Sequence, residues 1–156
     1  MSDIAKASGL TRPTLYLTFP DKETVFHAVV ETMIADKLEQ IRTGIADLTT
    51  LHERLLYACN SWAAEGYELV QNHPDASDMF DLGFKSVCAG YQAIENVIAG
   101  IVSDALSRTP LDLSAEELAR SIVLSLKGYK DTAIHREDLR RLIATHVMMV
   151  SKALVI

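Results

Sequence analysis

The sequence is poor in residues that interrupt or cross-link a chain. It has two cysteines, four prolines and seven glycines among 156 residues. Cys59 and Cys88 stand far apart, without a Cys-x-x-Cys or Cys/His spacing, so no zinc site is expected, and reduced, buried thiols are predicted in a cytoplasmic protein. Because helix breakers are few and no strand-like alternation occurs, the sequence predicts an all-α fold.

Several functional signals are also lacking. The most apolar stretch, at residues 147–156, contains Lys152 and is shorter than the roughly 20 residues that span a bilayer, so no membrane association is expected. No glycine-rich phosphate loop occurs. The pairs His27/Glu31 and His52/Glu53 have no third partner at catalytic or metal-ligand spacing. The sequence therefore predicts no enzyme, no cofactor and no metal.

Charge is distributed unevenly along the chain. The net charge is −6, yet residues 1–22 carry a balance of +1 and residues 46–156 a balance of −5. A weakly basic head in front of an acidic body is compatible with DNA binding by the head alone. The same distribution argues against a protein whose whole surface binds nucleic acid or membrane.

Residues 3–26 have the pattern of two short helices, a tight turn and the start of a third helix. Gly9 suits the left-handed end of the first helix, and Thr11 suits the N-cap of the second. Leu15 and Phe19, four residues apart, are expected to point inward. The outward set is predicted to contact DNA, as in a helix-turn-helix, and comprises Thr11, Arg12, Thr14, Tyr16 and Leu17, with Lys22 on a phosphate. Plain packing of Tyr16 and solvation of Lys22 are the alternatives.

Three segments in unbroken register strengthen this interpretation: IAKASGLT at 4–11, TLY at 14–16 and FPDKETVF at 19–26. They resemble the DNA-binding end of the TetR/AcrR family of bacterial transcriptional repressors. The resemblance implies a helical effector-binding and dimerisation body, a homodimer, a two-fold double-stranded DNA operator and a small-molecule effector. Leu17 and Thr18 depart from the family pattern. This departure concerns the part of the motif that contacts DNA bases and leaves the predicted fold unchanged.

A second departure concerns the start of the chain. Family members carry a further helix before the one that begins near Asp3, and it covers both helices of the motif. We therefore expect an N-terminally incomplete head in which five apolar side chains lose cover: Ile4, Ala5, Leu10, Leu15 and Phe19. The alternative function is a dimeric small-molecule-binding or interaction module whose DNA head is impaired.

The rest of the sequence predicts a series of helices. We predict helices at about 21–45, 50–71, 115–129 and 136–154, with a short helix and then a long one within 76–108. Ser114 and Glu117 form a capping-box pattern before the helix that starts at Ala115. The predicted domains are a DNA-binding head with its connecting helix at 1–45, and an effector-binding and dimerisation body at 46–156.

Large, soft or amphipathic side chains are concentrated in the middle of the chain. Mostly apolar walls with a few hydroxyls suit an apolar or amphipathic effector. The predicted effector-binding residues are Tyr57, Trp62, Tyr67, Met79, Phe80, Phe84, Cys88 and Tyr91. The alternative is that these side chains are ordinary core.

The last two helices carry apolar stripes that suit a four-helix bundle between two subunits. The residues assigned to this homodimer interface are Leu118, Ile122, Leu126, Tyr129, Leu139, Ile143, Val147 and Val150. An ordinary intrachain core is the alternative for these stripes as well.

Overall fold

A computed structural model describes residues 1–154, apart from the side chain of Asp78, and it is helical throughout. The helices are α1 (Ser2–Ser8), α2 (Arg12–Thr18), α3 (Lys22–Ala46), α4 (Leu51–Asn72), a 3-10 helix (Pro74–Phe80), α5 (Lys85–Leu106), α6 (Ala115–Thr132) and α7 (Arg136–Leu154). Residues 1–154 contain no strand. The all-α prediction is confirmed, and the predicted helix ends agree with the observed ones to within about three residues. Residues 155 and 156 of the predicted body lie outside the described part.

The predicted stop and start signals lie where the helices end and begin. Gly9 follows α1 in the left-handed conformation, with φ of 69°. Thr11 caps α2 because its hydroxyl accepts a hydrogen bond of 3.3 Å from the backbone amide of Thr14. The capping box of α6 is complete: the Glu117 amide donates to Ser114 Oγ at 3.1 Å, and the Ser114 amide donates to Glu117 Oε2 at 2.9 Å.

The main core lies among α3, α4, α5, α6 and α7. Helix α5 passes through its centre and carries Ile94, Ile98 and Val102, which are fully enclosed. It packs against α3 on one side and α6 on the other, while α4 packs against α7. Each enclosed aliphatic side chain contributes about 1.5–3 kcal/mol to folding, which makes this bundle the stable part of the molecule.

Helix α3 belongs to both the head and the body. Its first turn begins at Lys22, directly after the helix-turn-helix segment, whereas its buried side chains from Val30 to Ile45 are part of the main core. The predicted domain boundary at residue 45 falls at the end of this helix, and it stays a prediction. Helix α3 therefore connects the head to the body without a break.

The two short helices of the head have a small core of their own. Ala5 and Leu15 are buried, at 3% and 4% exposure, but neither belongs to the main core cluster. Ile4 and Phe19 are half-buried, and Leu10 is exposed. Two of the five side chains that were expected to lack cover, Ala5 and Leu15, are therefore buried, and α1 packs against α2.

Candidate functional site: a helix-turn-helix face and a lysine-lined cavity

The predicted DNA-binding residues lie on the exposed surface of the head. All six are exposed, including Leu17 at 88% and Tyr16 at 44%. Arg12 is the first residue of α2, and the hydroxyls of Thr11 and Thr14 lie 2.8 Å apart at the same helix end. One cation and two hydroxyls at a helix start are suited to phosphate and base-edge contacts.

Lys22 begins α3, immediately after the acidic N-cap residue Asp21. The Asp21 carboxylate accepts a hydrogen bond of 2.7 Å from the Thr24 amide. This bond, with a second one from the Thr24 hydroxyl, holds the pKa of Asp21 below its usual value. The Asp21 carboxylate therefore stays ionised at neutral pH and caps the helix start beside Lys22.

A cavity of about 240 Å³ lies in the body between α3, α4, the 3-10 helix, α5 and α6. Four of the eight predicted effector-binding residues line it: Trp62, Met79, Phe80 and Tyr91. The other walls are mostly apolar side chains, namely Val30, Met33, Ile34, Ala63, Leu69 and Leu126. A largely apolar enclosure with few polar groups is the usual form of a small-molecule site.

The other four predicted effector-binding residues do not line this cavity. Tyr57 fills the space beside Gly44, where α3 and α4 meet. The Phe84 ring packs at a tilt against Phe26 with ring centroids 4.7 Å apart, Tyr67 lies in the main core, and Cys88 is half-buried. The helical rotation of each side chain determines whether it faces the cavity or the core, and effector binding by the four lining residues stays a prediction.

The charged groups of the cavity were not predicted from the sequence. Lys37, Glu65, Lys127 and Lys130 also line it. Lys37 pairs with Glu65, and Lys127 Nζ lies 2.5 Å from Asp131 Oδ2. A signal was present for one of them, because Lys130 continues the apolar stripe of Ile122 and Leu126 at helical spacing.

Lys130 and Tyr91 are the polar groups most affected by burial in the cavity wall. Lys130 Nζ lies 3.6 Å from the centre of the Phe80 ring and donates a long hydrogen bond of 3.4 Å to Tyr91 Oη. Burial lowers the pKa of Lys130 to about 8, against a smaller opposing effect of Asp131. Burial, aided by Asp131, raises the pKa of Tyr91 to about 12, so the phenol remains neutral.

The residues assigned to a dimer interface lie mainly inside one chain. Five of the eight are enclosed in the main core, at 2% exposure or less: Ile122, Leu126, Leu139, Ile143 and Val147. Leu118, Tyr129 and Val150 are half-buried against that core. A side chain that is already enclosed has no surface left for a partner, so the stripes are the inner faces of α6 and α7. Their outer faces instead expose Leu124, Met148 and Met149.

Neither a metal cluster nor a membrane span is found among the described residues. Within residues 1–154, no group of three or more His, Cys, Asp or Glu side chains is arranged to hold a metal ion. Among the helices described, none combines the length and apolar character needed to cross a membrane.

Comparison with known proteins supports the helix-turn-helix interpretation of the head. Residues 1–29 match the family model of the bacterial regulatory proteins of the tetR family. The matched segment covers α1, α2 and the first two turns of α3, which is the part that carries all six predicted DNA-binding residues. Searches of the curated proteins and of the solved structures gave no match. The match supports membership of the tetR family and points to a DNA-binding regulator of transcription.

Proposed function

We propose that the chain is a cytoplasmic, ligand-responsive transcriptional regulator, acting as a repressor, that binds a two-fold DNA operator as a homodimer. A small apolar or amphipathic effector in the body cavity releases it from DNA. One observation supports this mechanism above others: α3 supplies Val30, Met33, Ile34 and Lys37 to the cavity, and the same helix begins at Lys22 beside the DNA-binding surface.

In the proposed mechanism, movement of α3 transmits the effect of ligand binding from the cavity to the DNA-binding surface. An effector that fits the cavity better when α3 is displaced favours the displaced state by the difference between its two binding free energies. Displacement moves Lys22 and α2, and in a dimer it changes the spacing of two recognition helices that must reach major grooves about 34–36 Å apart.

DNA binding is tested with two-fold sequences from the DNA flanking the gene, by fluorescence anisotropy at several salt concentrations. Arg12→Ala should weaken binding and reduce the salt slope by about 1, because one phosphate contact is lost. Arg108→Ala is the matched control, since Arg108 is an exposed arginine two residues beyond the end of α5 and pairs with Asp104. Equal effects of the two substitutions, or no salt-dependent binding at all, would contradict the proposal. In the second case, an intact dimer that still binds small molecules would favour an interaction module with an impaired head.

Dimerisation is assigned to the outer faces of α6 and α7. Met149→Glu should convert a dimer to a monomer in size-exclusion chromatography with light scattering, because it places a charge in an apolar contact. Ile134→Glu is the control: Ile134 is more exposed, at 85%, but lies in the connector between the two helices. A wild-type chain that elutes as a monomer at micromolar concentration would contradict this assignment.

A further inference from the structure

The three lysines of the body cavity differ in their partners. Lys37 is paired with Glu65, and Lys127 is paired with Asp131. Lys130 forms no ion pair with any carboxylate among the side chains that the structure describes. Its ammonium contacts the face of Phe80 at 3.6 Å and the hydroxyl of Tyr91 at 3.4 Å. The cavity thus contains one cation whose described partners are both neutral.

An ammonium that is partly buried in this way is costly to maintain. Removing an ion from water costs several kcal/mol unless an opposite charge compensates for it, and an aromatic face or a long hydrogen bond returns only part of that cost. The lowered pKa of Lys130, about 8, reflects the same burial. At neutral pH the amine is nevertheless mainly protonated, so a bound anion would supply the missing compensation.

We propose that the effector is a small organic monocarboxylate, whose carboxylate binds the Lys130 ammonium and the Tyr91 hydroxyl while its apolar body lies against Trp62 and Phe80. This inference rests on the proposed function only in calling the ligand an effector. The binding mode itself follows from the cavity and is independent of whether the chain binds DNA.

Charge and volume select this class over related anions. Lys130 is one cation without a described carboxylate partner and balances one negative charge, whereas a dianion such as a phosphate ester would leave its second charge uncompensated in the cavity. The volume of about 240 Å³ lies below the range of about 300–1,000 Å³ typical of sites for drug-sized ligands. A phenyl or medium alkyl body is therefore a better match than a large polycyclic one.

The test compares isosteric acids and amides on the full-length chain. The probes are 3-phenylpropionate against 3-phenylpropanamide and octanoate against octanamide, with phenyl phosphate as the dianion. Trp62 is the single tryptophan of the chain and lines the cavity, so its fluorescence reports occupancy directly. Each acid should bind at least about tenfold more tightly than its amide at pH 7, as expected for a hydrogen bond to a charged group, and phenyl phosphate should bind more weakly than the acids.

Substitutions at Lys130 test whether the charge of its ammonium causes the preference for acids over amides. Lys130→Met should bring the affinities for acid and amide together, whereas Lys130→Arg should retain the preference for the acid. Lys152→Met, which removes an exposed lysine of α7, is the charge-matched control and should leave both affinities unchanged. Circular dichroism melting of each variant excludes misfolding as the cause of lost binding.

Three outcomes would overturn the inference: equal binding of acid and amide by the wild type, a preference for the acid that survives Lys130→Met, and no binding of any probe. If the amides bind as well as the acids and release DNA, the carboxylate inference fails while the proposed function stands. If the acids bind through Lys130 but the chain binds no two-fold DNA, the regulatory function fails and the ligand class stands.

Discussion

The imidazole Nδ1 of His27 on α3 lies 2.8 Å from the hydroxyl oxygen of Ser86 on α5. Ser86 is one of two buried polar side chains in the core of the described residues, at 5% exposure, whereas Nε2 of the same imidazole lies 3.6 Å from Glu23. The bond joins the N-terminal part of α3, next to the head, to the central helix of the body. Together with the contact between the Phe26 and Phe84 rings, it ties α3 to the start of α5, between the cavity and the proposed DNA-binding surface.

Loss of this hydrogen bond should destabilise the fold modestly. We expect Ser86→Ala to lower the free energy of unfolding by about 1 kcal/mol, because water can reach the partly exposed imidazole and replace only part of the bond. Urea unfolding measures the change. Ser121→Ala, at an exposed position of α6, should have almost no effect, and equal values for the two variants would show that the bond is not formed in solution.

A close helix–helix approach makes Gly90 sensitive to substitution. A Cβ atom at this position would lie 2.2 Å from Ile34 Cδ1 and 3.0 Å from Ile34 Cγ1, so Gly90→Ala forces the packed Ile34 side chain to move. We expect a loss of about 1–3 kcal/mol in unfolding free energy, as for other overpacked cores. A change of less than roughly 0.5 kcal/mol, the limit of a neutral surface substitution, would contradict this close approach of the two helices.

The same helix provides the matched control. A Cβ atom at Gly100 would meet nothing within 4 Å, so Gly100→Ala should stabilise α5 by about 0.5–1 kcal/mol through the better helix propensity of alanine. Opposite signs for two identical substitutions on one helix would exclude a general effect of glycine replacement. Thermal and urea unfolding of both variants give the comparison.

The two thiols should differ in reactivity. Cys59 is fully enclosed, and burial raises its pKa to about 12, whereas Cys88 is half-buried. Since the thiolate is the reactive form, Ellman's reagent at pH 8 should label Cys88 rapidly and Cys59 only after unfolding in urea. Rapid labelling of two thiols per chain in the native wild type would contradict this order of reactivity. Cys88→Ser should remove the fast phase of labelling.

Stability should depend on pH through Lys130. Its pKa falls from 10.5 in the unfolded chain to about 8 in the folded one, so between these values the unfolded state binds more protons and the stability contribution of Lys130 rises with pH. Well below pH 8 the amine is protonated in both states, and the cost of burying the charge is fully present. Lys130→Met lacks that cost, and its advantage over the wild type should be largest near pH 7 and should shrink towards pH 10.

Urea unfolding at pH 7, 8, 9 and 10 measures this difference. Tyr91 has the opposite effect only above its unfolded pKa of 10, because its folded pKa is raised to about 12, so this range separates the two groups. Asp131 and Lys127 are the other charged groups that influence Lys130, and both are present in either variant. A difference that stays constant from pH 7 to 10 would show that Lys130 is not protonated in a buried site.

Short-range sequence signals were sufficient to predict the helices and the fold of the head. Gly9, Thr11 and the Ser114–Glu117 pair act within one turn of their own helix, so their roles follow from short-range sequence alone. The helical spacing of apolar residues likewise predicted the stripes of α6 and α7. It could not distinguish a stripe that faces the same chain from one that faces a partner, since both bury apolar area in the same pattern.

The charged cavity depended on how distant segments pack together. Lys130 approaches Phe80 and Tyr91, which are 50 and 39 positions away in the chain, and no local rule relates the three. Which aromatic side chains face a cavity depends on the rotation of α4 and α5 about their axes, and that rotation is set by close contacts such as Gly90 with Ile34. Hydrogen bonds within a single turn therefore determine where the helices begin and end, while long-range packing determines which side chains line the cavity.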